Sequence, residues 1–143
     1  MRRVDLAEAS VAVRYRTLLT LWIGMMMSIV IWFVLTPWLA VRNAENPRLG
    51  LLLICLGFLP MSSSFLVKQV LVGKAIDRQD PRLLQPAYVG AWALCEIAAL
   101  LGLLARLAAS SPHYYAAFVI AGSGMLLHFP QRRHVLAALG QEF

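Results

Sequence analysis

Charge is scarce in this chain. Only 14% of its 143 residues are charged and seven of those are acidic, whereas 60% of the residues are hydrophobic. A soluble domain of this size needs more polar surface to cover its core. The apolar residues are also concentrated in long blocks. The sequence therefore predicts an integral membrane protein, with a single domain over residues 1–143.

Cysteine is also rare, and the residue patterns of common active sites are missing. Cys55 and Cys95 both fall inside apolar blocks, where a thiol behaves as a small hydrophobic group. Neither a disulfide framework nor metal-ligand spacing is present, and no HExxH, paired-carboxylate or Ser-His-Asp pattern occurs. We interpret His113, His128 and His134 as residues at the membrane edges. The sequence thus predicts no catalytic residue, no metal and no cofactor.

Four apolar blocks have the length of membrane spans. The first, residues 17–40, carries no charge and has Trp22 and Trp38 near its ends, where interfacial anchors lie. At about 1.5 Å per residue, some 20 residues cross the roughly 30 Å hydrocarbon core. We therefore predict an all-α membrane protein, a four-transmembrane-helix bundle. The other three blocks are residues 49–67, 83–105 and 112–129.

A proline interrupts the second block. Pro60 lies in its middle and is followed by three consecutive serines. Proline removes a backbone hydrogen bond and kinks a helix, and a nearby serine hydroxyl can satisfy the freed carbonyl. We therefore expect a kink near Pro60. The helix is predicted to continue past Lys68, because a long basic side chain can extend to the interface.

The basic residues are divided unequally between the two sides of the predicted bundle. Ten lie in the N-terminal tail, in the segment from Lys68 to Arg82 and in the C-terminal tail, against three on the other side. Short segments rich in lysine and arginine remain in the cytoplasm. We therefore predict a multi-pass protein of the cell inner (cytoplasmic) membrane with both termini cytoplasmic. The three residues on the other side are Arg42, Arg48 and Arg106.

Glu96 is the one charge near the centre of the third block. A carboxylate at that depth costs roughly a few kcal/mol, and such residues mark functional sites or hydrogen-bond between helices. Matching depths across the two neighbouring hairpins predicts Ser62, Ser63 and Ser123 at the level of Glu96. One hypothesis is an ion-binding site formed by these four residues, and the other is plain helix packing. A stripe of small residues on the third helix favours close packing: Ala91, Cys95, Ala98, Gly102 and Ala105.

Residues 74–107 resemble the second half of the proteolipid hairpin, the c subunit, of rotary ATP synthases. Arg78, Gln79 and Pro81, with Asp80 inserted, are similar to the Arg-Gln-Pro loop of that family, and Glu96 matches its ion-carrying carboxylate. The resemblance implies a proton- or cation-translocating role for Glu96. The rest of the chain departs from the family, because Pro60 interrupts the preceding helix and four spans are predicted instead of two.

Three functions follow as hypotheses. The leading one is a small polytopic membrane protein that serves as an accessory or assembly subunit of a larger membrane complex. The second is a c-subunit-like protein that translocates protons or cations by way of Glu96, and the third is a membrane-embedded enzyme. The expected partners are the lipid bilayer, anionic lipid headgroups, and other membrane subunits or further copies of this chain. No nucleic acid is expected, since the basic residues flank apolar blocks.

Overall fold

The computed structural model describes residues 2–39 and 45–140, with side chains from residue 11 onward. Arg42 and the last residue of the first predicted block lie outside the described residues. The described part of the chain is all-helical, as predicted. Its helices are α1 (Arg2–Leu35), α2 (Pro47–Leu56), α3 (Phe58–Asp77), α4 (Leu84–Ala109), α5 (Tyr115–Leu127) and α6 (Arg132–Ala138), with 3₁₀ turns at Thr36–Trp38 and Pro81–Leu83.

Three helical segments are long and apolar enough to cross a membrane, namely Val11–Trp38, Pro47–Asp77 and Pro81–Ala109. Their length and composition support insertion into a membrane as a multi-pass protein. The block predicted at residues 112–129 differs, because its helix α5 has only 13 residues and a length of about 20 Å. Its first residues form a turn rather than a helix. Among the described residues there are therefore three long apolar segments rather than four.

The break in the second segment lies at Gly57, between α2 and α3. Pro60 is three residues further on, in the first turn of α3, where its missing N–H needs no helical partner. The Gly57 N–H donates to the carbonyls of Leu53 and Ile54. A β-carbon at Gly57 would lie 3.1 Å from the carbonyl oxygen of Ile54. The interruption caused by the proline is therefore accommodated at a glycine one turn earlier.

Helix α4 is the centre of the bundle and packs against α1, α2, α3 and α5. At Gly102 a β-carbon would lie 2.8 Å from Cβ of Ala117 and 3.0 Å from the backbone oxygen of Tyr114. Helices α4 and α5 therefore approach each other closely at this level, as small residues allow. The predicted stripe of small residues is confirmed as the buried face of α4: Ala91, Cys95, Ala98, Gly102 and Ala105.

The two ends of the bundle are defined by contacts between distant parts of the chain. A pocket of about 170 Å³ is lined by Arg14, Pro81 and Val135, so the beginning of the apolar part of α1, the beginning of α4 and helix α6 share one end. At the other end the Asn46 N–H donates to the carbonyl of Ala109 (2.9 Å). Helices α1 and α4 consequently run parallel, and the α2–α3 segment runs antiparallel to them.

Helix α5 also runs antiparallel to α1. The indole Nε1 of Trp22 donates to the carbonyl of Met125 (3.0 Å), and the ring of Phe33 packs edge-on against that of Phe118 (5.6 Å). Residues later in α1 thus meet residues earlier in α5. These aromatic contacts hold α1 against the bundle, although most of its large apolar side chains are exposed, as lipid-facing side chains are.

Candidate functional site

The carboxyl group of Glu96 lies at the interface between α4 and α1. The hydroxyl of Ser28 on α1 faces it across this interface. The side chain is partly buried, and the described residues supply no ion pair to it. An unpaired charge in hydrocarbon is costly, so a carboxyl–hydroxyl pair fits a protonated glutamate better than an ionised one.

The three serines predicted beside Glu96 lie elsewhere. Ser62, Ser63 and Ser123 are exposed at the surface of the bundle, and the Ser63 hydroxyl donates to the carbonyl of Leu59 (2.8 Å). The structure therefore does not bring the four predicted residues together among the residues it describes. Matching depths gives the level of a residue but not its direction around the helix axis. Glu96 lies about 100° around the helix from Cys95 on the stripe and faces α1.

A buried polar cluster that the sequence did not identify occupies the bundle interior at this level. The Ser64 hydroxyl lies 2.6 Å from Nε2 of His128 and 3.9 Å from Sγ of Cys95. The indole Nε1 of Trp92 donates to the carbonyl of His128 (3.1 Å). All four side chains are buried. Their contacts join α3, α4 and the end of α5. His128, predicted at a membrane edge, is only 1% exposed within the bundle.

The position of Cys95 on the small-residue stripe is the signal that could have located this cluster. The stripe marks the buried face of α4, so polar residues on neighbouring helices at the level of Cys95 are expected to contact it. Ser64 and His128 are those residues, since Cys95 also lies 3.0 Å from the position of a β-carbon on Gly124, one turn before His128. The pairing of Ser64 with His128 still depends on how α3 and α5 rotate, which the sequence does not specify.

The hydrogen bonds of the cluster determine where its protons lie. The Ser64 hydroxyl has a carbonyl neighbour, that of Met61, at 2.5 Å, and a carbonyl can only accept. The serine proton is therefore used on Met61, and Nε2 of His128 is the donor to Ser64. Nδ1 of His128 has no hydrogen-bond partner among the described residues.

A second polar group lies at the end of the bundle that carries α6. The hydroxyl of Tyr88 accepts from the N–H of Gln131 (3.2 Å) and lies 2.7 Å from Nδ1 of His134. Burial lowers the pKa of His134 below its usual range, and the positive charges of Lys68 and Arg133 lower it further. His134 is consequently neutral, and its contact with Tyr88 joins α6 to α4.

The residues described offer little for metal binding. Within residues 2–39 and 45–140, no group of three or more His, Cys, Asp and Glu side chains could hold a metal ion. The candidate sites are thus the Glu96–Ser28 pair and the two histidine clusters. Comparison of the chain with protein-family models, curated proteins and solved structures finds no match.

Proposed function

We propose that this protein is a non-enzymatic accessory or assembly subunit of a larger membrane complex, with four spans and both termini cytoplasmic. The observation that carries this proposal is the partly exposed carboxyl group of Glu96, which faces the hydroxyl of Ser28 on α1 and has no charged partner among the described residues. One hydroxyl leaves part of a polar group facing hydrocarbon. A neighbouring subunit that covers this face would remove the cost.

The surface beside Glu96 supports a protein neighbour. Gly24 lies one turn before Ser28, is exposed, and has no atom within 4 Å of the position of a β-carbon. Small residues spaced four apart let the backbones of membrane helices approach closely. Ile31, one turn after Ser28, is 51% exposed and extends the same surface. The interaction surface is thus the strip of α1 formed by Gly24, Ser28 and Ile31, together with Glu96.

The path of the chain after α4 supports a fourth crossing. The Ser111 N–H donates to the carbonyl of Ala105, and the Gln131 N–H donates to the hydroxyl of Tyr88. The segment around α5 therefore extends along α4 from the level of residue 105 to that of residue 88, roughly 26 Å at about 1.5 Å per residue. With its flanking turns, α5 covers most of the hydrocarbon thickness although the helix alone is short.

Cysteine labelling tests the topology. An impermeant maleimide added to intact cells should modify Asn46→Cys, whereas Gln79→Cys and Arg132→Cys should react only after the membrane is permeabilised. The unmodified chain, in which Cys55 and Cys95 both lie within the predicted spans, is the background control. Labelling of residue 132 from outside would indicate three crossings, and the reverse pattern at all three positions would invert the orientation.

Photo-crosslinking in native membranes tests the proposed interaction surface. A photoreactive residue at Ile31 should give a discrete protein adduct, and the same residue at Leu66, which is 65% exposed on α3, should give lipid adducts alone. Glu96→Gln should keep the adduct because an amide still hydrogen-bonds, whereas Glu96→Leu should reduce it several-fold. Each buried polar contact between membrane helices contributes about 0.6–2 kcal/mol, which is consistent with that reduction.

Two crosslinking results would contradict the subunit proposal or part of it. If Ile31 and Leu66 both give lipid adducts alone, Glu96 faces lipid and the surface has no protein partner. An adduct that is equally strong in Glu96→Leu would leave the partner but remove the role of the carboxyl group. In both cases the variant must first be shown to fold, by its resistance to detergent-induced unfolding.

The alternative function, proton or cation translocation, is favoured by the pairing of a membrane carboxyl with a hydroxyl and no charged partner among the described residues. A carboxyl group of this kind can exchange a proton without breaking an ion pair. A hydrophobic carbodiimide should then modify Glu96, and Glu96→Gln should abolish ion flux in proteoliposomes. Retention of flux in Glu96→Gln would eliminate this alternative, and the same variant leaves the subunit proposal intact.

A further inference from the structure

An open groove of about 380 Å³ runs along α3 towards the end of α5 and α6. Its polar part is formed by Lys68, Gln69, His128 and His134, and its apolar part includes Phe65, Gly73 and Leu127. None of the lining residues that the structure describes is acidic. The groove therefore combines a positive end with an apolar wall.

Lys68 gives the groove its charge. Its Nζ lies 4.8 Å from the ring centroid of Tyr88, and the described residues offer it no carboxylate. Arg133 is close enough to act electrostatically on both Lys68 and His134. Two cations without an acidic partner produce a local positive potential that an anion would neutralise.

The depth of Lys68 indicates where that anion lies in a bilayer. From Pro47 to Lys68 the α2–α3 segment rises by roughly 33 Å, about the thickness of the hydrocarbon core. With the start of α2 at one interface, Lys68 lies at the opposite one, at the level of lipid phosphates. Phe65 and Leu127 lie beside it and are 37% and 62% exposed, as side chains that contact acyl chains would be.

His128 supplies a second, independent observation. It is 99% buried in the wall of the groove, and its Nδ1 has no hydrogen-bond partner among the described residues. Buried polar atoms of proteins are normally paired, so an unpaired one indicates a group that a ligand or water satisfies. With Nε2 beside Ser64, Nδ1 is the free ring nitrogen of His128.

We propose that this groove binds the phosphate group of an anionic phospholipid, with the phosphate at Lys68 and an acyl chain along Phe65 and Leu127. The geometry that supports this site does not include Glu96, so it is independent of the proposed subunit function. Phosphatidylglycerol supplies both the anion and the acyl chain that the groove fits. A soluble phosphate shares the anionic chemistry but not the acyl chain.

Native mass spectrometry of the full chain tests the site. Protein released from an equal mixture of phosphatidylglycerol and phosphatidylcholine should retain one phosphatidylglycerol molecule preferentially. Lys68→Met should reduce that bound fraction about fivefold, the effect expected for one basic residue near a membrane surface. Lys74→Met is the matched control, since Lys74 is exposed on the same helix outside the groove, and it should leave binding unchanged.

A second variant blocks the groove without changing its charge. No atom lies within 4 Å of a β-carbon placed on Gly73, so Gly73→Leu should fold and fill the space, and bound lipid should be lost. Gly122→Leu, equally open but on α5 outside this groove, should retain it. This comparison is decisive if Lys68→Met does not fold. Equal lipid retention in Gly73→Leu and Gly122→Leu would overturn the proposal.

Two further outcomes would also overturn the proposal that the groove binds an anionic phospholipid. If Lys68→Met and Lys74→Met lose the same amount of lipid, the binding reflects general surface charge rather than the groove. If inorganic phosphate, compared with chloride at equal ionic strength, protects the lipid-free protein from thermal unfolding as well as phosphatidylglycerol does, the ligand is a soluble phosphate and the lipid assignment is wrong.

Discussion

Gly102→Ala is expected to destabilise the bundle by about 1–3 kcal/mol, the cost of overpacking a tight interior. The added methyl group would lie 2.8 Å from Cβ of Ala117 and 3.0 Å from the backbone oxygen of Tyr114. A backbone atom cannot move aside as the end of a flexible side chain can, so α5 must separate from α4. Loss of packing is serious in a membrane, because lipid supplies little hydrophobic force to return the helices to contact.

The matched control for Gly102 is Gly122, one of the glycines with no atom within 4 Å of a β-carbon. Gly122→Ala should be neutral or stabilising by up to about 1 kcal/mol, since alanine is the better helix former. Both variants can be compared by detergent-induced unfolding followed by circular dichroism. Equal stability of the two would mean that α4 and α5 do not approach each other closely at Gly102.

Trp92→Ala is expected to have the largest effect of any single truncation in the core, about 3 kcal/mol or more. Trp92 is fully buried, packs against the ring of Tyr88 (5.5 Å between centroids), and donates to the carbonyl of His128. Its loss would create a cavity and leave that carbonyl without its donor. Trp92→Phe keeps most of the volume and should cost about 1–3 kcal/mol, the penalty for an unsatisfied buried group.

Trp38 provides the control for the truncation, because it is 82% exposed. Trp38→Ala should change the stability of the folded bundle by no more than about 0.5 kcal/mol. The stability of both tryptophan variants can be compared by detergent-induced unfolding followed by circular dichroism. If Trp92→Ala and Trp38→Ala have similar unfolding midpoints, the buried cluster around His128 does not stabilise the bundle as its geometry indicates.

Hydropathy was sufficient to predict the helical class and the three long segments, because burying an uncharged block in lipid is a property of local composition. The small-residue stripe likewise gave the buried face of α4 correctly. The fourth block was overestimated as a long helix, since its apolar composition does not show that Pro112 and its neighbours form a turn. The number of crossings and the orientation remain predictions.

The contacts of Glu96 and of the buried cluster around His128 were harder to predict, because they depend on how each helix is rotated about its axis. Glu96 follows Cys95 in the chain but is not on the small-residue stripe, and its depth alone does not say which neighbouring helix it faces. The choice among the three consecutive serines was decided by packing, and Ser64, not Ser62 or Ser63, points inward. No pattern along the chain connects Ser64 with His128, because their contact depends on how α3 and α5 each meet α4.

The shortness of α5 has a consequence for the surrounding bilayer. In the proposed fourth crossing, the segment around α5 covers roughly 26 Å of a hydrocarbon core of about 30 Å, which creates a small hydrophobic mismatch on one side of the bundle. Lipid adjusts to a short segment by local thinning, at a cost that rises with each ångström of difference. The stability of this protein should therefore depend on acyl-chain length, and a thinner membrane should favour its folded state over a thicker one.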